Sequence, residues 1–218
     1  MAGPGFCAVG NADDTLGQSA QLRSISSRET VMTTFEYITV LVSIIVGLGI
    51  THLLIGIARL INRPDQNKVY WIHLLWAIQS FEWLVYFWWF NLTMGTWEEW
   101  TGLLYTFFIL WVVVSFLRCA VIIPIDLPEG GDFRDYFYAK RAWFFGLLLV
   151  EQLFNFLHSV IRDFTPPLWM WILFLGPFAV AMVTRNSKFH ATFAILWVVL
   201  LTLWLALGTV GGQAMHTF

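Results

Sequence analysis

Six long stretches almost empty of charge dominate this chain: residues 35–60, 70–90, 101–123, 142–161, 167–184 and 189–210. A hydrocarbon core about 30 Å thick is crossed by roughly 20 apolar residues in helical form. In lipid, every backbone amide and carbonyl has to be paired inside the chain, which leaves helices and closed barrels. Barrel strands would alternate polar and apolar over about ten residues. These runs are continuously apolar instead. The expected fold is therefore all-α: a polytopic membrane protein, a bundle of six transmembrane helices over residues 35–218.

The punctuation agrees. Asn62, Arg63, Pro64 and Asp65 follow the first run and Asn91 follows the second. Residues 124–140 contain Pro, Gly and Asp and read as a small interfacial linker between the third and fourth helices. Pro166 and Pro167 open the fifth, and Pro at a first helical turn loses no needed donor. Arg185 to Lys188 close it.

Composition removes several function classes. Only 12% of the residues are charged while 58% are hydrophobic. Soluble domains carry about 25% charged residues. A soluble enzyme, a coiled coil and a disordered chain are excluded. The net charge of −2 leaves no basic footprint for nucleic acid. The bilayer is the expected partner, with a homo-oligomer or a larger membrane complex beside it. Cys7 and Cys119 show no metal-ligand spacing and read as free thiols. No phosphate loop, nucleophile elbow or zinc motif occurs, so nothing in the sequence marks an enzyme.

Residues 1–34 differ in kind. Small and polar residues prevail, no apolar signal region is present, and the segment reads as a disordered tail. Met32 stands directly before the first apolar run and is a candidate natural start, with residues 1–31 as an extension. By type, the chain resembles small six-helix proteins of bacterial inner membranes. Nine of its twelve Lys and Arg residues fall after helices one, three and five: Arg59, Arg63, Lys68, Arg118, Arg134, Lys140, Arg141, Arg185 and Lys188. The positive-inside rule places that side in the cytoplasm and both termini outside it.

Charged groups within a span cost roughly 2.5–3.5 kcal/mol each on insertion scales, so their placement is the main functional signal. Helices one, two and four are expected to hold all of them. In helix four, Glu151, Asn155 and His158 are spaced i, i+4, i+7 and share one face. Lys140 and Arg162 extend this stripe at its two ends and Gln152 lies beside it. Helix two carries His73, Gln79 and Glu82, with Gln79 and Glu82 on one face. Helix one carries Glu36 near its start and His52 further along. Glu82 is expected level with Glu151 and Asn155, and Glu98 and Glu99 would add charge at the outer entrance. The Trp-rich second helix reads as packing plus an interfacial belt. Ser43, Gly47 and Thr51 form a small-xxx-small row, the pattern that brings transmembrane helices close.

Three functions are compatible with these residues. The first is a transporter or channel-like protein, moving a proton, cation or small solute past Glu36, Gln79, Glu82, Glu151, Asn155 and His158. The second is a non-transporting subunit or scaffold of a membrane complex, in which the same groups hold helices together. The third is a b-type haem redox protein with His52 and His73 as ligands. The topology is directly testable. Reporter fusions after Lys68, near Gly130 and after Lys188 should report cytoplasm, and a fusion after Phe218 should not. A cytoplasmic signal at Phe218 would remove one of the six helices.

Overall fold

The computed structural model describes residues 33–62, 68–93, 100–125, 131–163 and 167–210. The tail, Met32, Glu98, Glu99 and residues 126–130 of the third linker lie outside the described residues. Six helices follow in order: α1 Thr34–Asn62, α2 Trp71–Thr93, α3 Gly102–Ile122, α4 Phe133–Ile161, α5 Leu168–Val183 and α6 Ser187–Val210. Four of them, α1, α3, α4 and α6, are long and apolar enough to cross a membrane. Helix α2 has 23 residues, close to 35 Å at about 1.5 Å per residue, but carries more polar and indole groups. Helix α5 is the short one, with 16 residues. The chain is thus an all-helical membrane bundle.

Successive helices alternate in direction, so α1, α3 and α5 begin at one end, here the N-face, and finish at the opposite face. The buried stripe of α1, Ile38, Val42, Val46, Gly49, Leu53 and Gly56, recurs every three or four residues and seats the helix on α2 and α3. Trp88 Nε1 donates to Ser43 Oγ at 3.1 Å and Asn91 Nδ2 to Thr39 Oγ1 at 3.4 Å, which pins α1 against α2. At the centre, Trp76 of α2 packs edge-on against Phe144 and Phe145 of α4 and Phe193 of α6, with ring centroids 5.5, 5.1 and 5.3 Å away. Trp76 and Trp83 face inward, whereas Trp71, Trp88 and Trp89 are exposed toward the surroundings. The indoles of α2 therefore divide between core and periphery.

Two expectations need correction. Helix α4 starts at Phe133, nine residues before the apolar run, and the third linker is correspondingly shorter. Asp132 caps the helix, its side chain accepting from the Arg134 amide at 2.8 Å. Phe133 and Phe137, one turn apart, are buried against the ring of His73. Charged residues between these aromatics break the apolar run without breaking the helix. A short bridge also ties the two linkers at this end: the Phe133 amide donates to the Lys68 carbonyl at 3.1 Å, and the Lys68 amide to the Gly131 carbonyl at 3.2 Å.

The second correction concerns close packing of α1. Gly47 and Thr51 of the small-residue row are exposed, and a Cβ at Gly47 would meet nothing within 4 Å. The tight face is the other one. A Cβ at Gly49 would lie 2.8 Å from Leu84 Cδ1, and one at Gly56 would lie 2.1 Å from Ile123 Cγ2. Small residues mark both faces of α1, and only neighbouring bulk tells which is used. Gly56→Ala is expected to destabilise the detergent-solubilised protein by about 1–3 kcal/mol through overpacking. Gly47→Ala should be neutral or stabilise by roughly 0.5–1 kcal/mol, the helical preference for Ala. Paired thermal melts check this, and an equal response of the two variants would refute the assignment of faces.

Candidate functional site

The charged centre of the bundle is a buried guanidinium. Arg118 of α3 is 0% exposed and Glu151 of α4 is 1% exposed, with 3.0 Å between Arg118 Nε and the Glu151 carboxylate. Arg118 Nη1 donates to Gln79 Oε1 at 2.9 Å and to Ser80 Oγ at 2.8 Å, both on α2. Ser115, one turn earlier on α3, is buried on the same side. The helices joined are thus α2, α3 and α4. The sequence pattern puts the charges on helices one, two and four and Arg118 in the connection after helix three. The structure corrects that assignment. Arg118 lies four residues inside α3, about 6 Å from its end, and reaches inward. Two signals point to it: five apolar residues, Cys119 to Ile123, follow it before Pro124, and a buried glutamate calls for a cation.

Glu151, Asn155 and His158 leave this centre along α4. Asn155 Nδ2 donates to the Glu151 carbonyl at 3.2 Å. His158 stands among aromatic rings, 5.1 Å from Phe90, 5.9 Å from Trp111 and 6.2 Å from Phe108. His158, Phe90 and Trp111, together with residues nearer the N-face, line a cleft of about 280 Å³. Helix α4 lines it with Asn155, His158, Ser159 and Arg162. Helix α2 contributes Trp83, Tyr86, Phe87 and Phe90, and Trp111, Trp171 and Trp204 come from α3, α5 and α6.

The remaining polar residues are distributed differently. Glu82 shares α2 with Gln79, yet its Oε1 accepts from Thr202 of α6 at 2.9 Å. Its hydrogen bond thus joins α2 to α6, away from the contacts that Arg118 makes. Glu36 is exposed in the first turn of α1, where an acidic group complements the helix dipole.

His52 and His73 meet at one place, the end of α3, with a shared task. Each imidazole Nε2 donates to a backbone carbonyl, His73 to Ile122 and His52 to Ile123, the latter at 2.7 Å. Tyr136 Oη donates to Val121 O at 2.8 Å and Arg59 Nη1 to Ile125 O at 2.6 Å. A helix ends with carbonyls that have no intrahelical partner. Here side chains from α1, α2 and α4 capture them. The Nε2 of each of these two imidazoles is therefore engaged in the fold. His190, not singled out in the sequence, does the same for α5, donating from Nε2 to Thr184 O at 3.0 Å. Among the described residues no cluster of three or more His, Cys, Asp or Glu is placed to hold a metal ion.

No family model, curated protein or solved structure matches this chain significantly. The site is therefore read from its own geometry.

Removing one partner of a buried ion pair leaves an uncompensated charge, at a cost of roughly 3–5 kcal/mol, while replacing both by apolar groups is often neutral. Arg118→Met alone should accordingly lower stability by about 3–5 kcal/mol. Arg118→Met combined with Glu151→Leu should recover most of it. Denaturation of the single and double variants in mild detergent provides the cycle. Additive losses would mean that the two groups do not depend on each other.

Proposed function

We propose that the protein is a small membrane transporter, moving a proton, a cation or a small solute along the polar face of α4. The observation that carries this reading is the course of that face. Arg162, Ser159, His158 and Asn155 line an open cleft, and Glu151, one turn further, sits in the buried pair with Arg118. A vestibule leads to a charge-paired closure. Opening it means exchanging the Arg118–Glu151 contact for contact with the transported species. Ionisable groups facing the interior of a membrane bundle are the usual constituents of such paths.

The orientation belongs to the same proposal. Without Arg118, eight basic residues remain at the end opposite the N-face, on the connections after α1, α3 and α5 and the adjoining ends of the helices, against three toward the other side. The positive-inside rule then puts the cleft on the extracytoplasmic side of a bacterial inner membrane, with both termini there. A scaffold role in a membrane complex is the second reading, favoured by the way Arg118 ties α2, α3 and α4 together.

Flux in proteoliposomes separates the two. His158→Leu and Asn155→Leu remove polar groups from the cleft lining and should sharply reduce proton, cation or solute flux with little change in melting temperature. Glu82→Gln retains an oxygen acceptor for Thr202 and cannot ionise. It should preserve folding and, if Glu82 relays a proton, abolish the pH dependence of flux. Wild-type protein that carries no flux under proton, cation and solute gradients would overturn transport and leave the scaffold.

A further inference from the structure

The wall that α5 and α6 give the cleft is partly exposed. Helices α5 and α6 meet through Phe178 against Phe193 and Trp197 and through Phe174 against Trp197, at 5.2, 4.6 and 5.9 Å. Nearer the N-face, Trp171 and Trp204 both line the cleft, and Trp204 is 52% exposed. At the rim stands Arg162, the exposed C-cap residue of α4. It lies eleven residues beyond Glu151, about 16 Å along the helix, at the depth where a span ends and head groups begin. Ser159, His158 and Asn155 step inward from it. Asp163, with φ 56, turns the chain out of the helix and does not line the cleft.

This arrangement has a cation at the interface, neutral polar groups just inside, and indole walls along an apolar slot. A volume of about 280 Å³ is at the lower bound of small-molecule pockets, which span roughly 300–1,000 Å³. It suits one hydrocarbon chain better than a whole lipid. We infer that the cleft takes up an anionic phospholipid from the surrounding leaflet, its head group on Arg162 and the upper part of one chain between Trp171 and Trp204. The inference goes beyond the proposed transport: it concerns what occupies the cleft, not what is moved along α4. The binding itself is measured without flux.

The full chain, delipidated in detergent, is titrated with dioleoyl phosphatidylglycerol and dioleoyl phosphatidylcholine and read by native mass spectrometry. The wild type should retain phosphatidylglycerol about fivefold better, the scale of one basic side chain against an anionic head group. Arg162→Gln should bring that ratio to about one, and Arg162→Lys should keep it. Ser159→Trp, which fills the slot, should lower retention of both lipids with the melting temperature unchanged. Undiminished preference in Arg162→Gln, or undiminished retention in Ser159→Trp, would overturn the inference. Equal binding of short-chain dihexanoyl phosphatidylglycerol would overturn the membrane as source, because the head alone would then suffice. Flux with no lipid preference would overturn this inference alone. Lipid preference without flux would support it and overturn transport alone.

Discussion

A guanidinium buried inside an apolar bundle constrains everything around it. Arginine does not shed its proton in proteins, so Arg118 has to be matched by charge and by hydrogen-bond acceptors. Glu151 supplies the charge, Gln79 and Ser80 the further oxygens. The register of three helices follows. With Arg118 opposite Glu151, Trp111 of α3 falls opposite His158 of α4, and with Gln79 opposite Arg118, Phe87 of α2 falls against Trp111. A slip of one turn in any of them would separate the charges. The aromatic packing provides the area, and the ion pair selects which packing is adopted.

The spans were readable in the sequence because the bilayer imposes a length and a composition that few other structures share. Where lipid ceases to dictate, legibility fell. The first two and a half turns of α4 carry Arg134, Asp135, Lys140 and Arg141 among their aromatics, and no hydropathy argument sees a helix there. The stripe Glu151–Asn155–His158 was readable from spacing alone. Its cation was not, because Arg118 lies near enough to Pro124 to pass for a loop residue. Glu82 shows the limit of arguments from helical faces. It shares a helix face with Gln79 yet bonds to α6, since helical angle is shared by several neighbours and only packing chooses among them.

The histidines illustrate another kind of blindness. Their helices were legible, and their partners were invisible. A backbone carbonyl has no signature in a sequence, so an imidazole that caps a helix and one that ligates iron look alike. In this bundle the ends of α3 and α5 are closed by His52, His73 and His190. At these ends the donors come from neighbouring helices, which pair carbonyls that the ending helix leaves without an intrahelical partner. Three chain segments converge on the end of α3 for that reason.

The Arg118–Glu151 pair also carries an instruction about the order of assembly. The two residues are 33 positions apart, so the ribosome delivers the arginine well before its counter-ion. Chains fold from the N-terminus during synthesis. For that interval α3 would sit in the bilayer with a bare cation, were it not for α2, made earlier and carrying Gln79 and Ser80. Two neutral side chains are thus present in the chain as partners for the charge before the glutamate is made. Residues that look secondary in the finished molecule are the first partners Arg118 meets in its biogenesis.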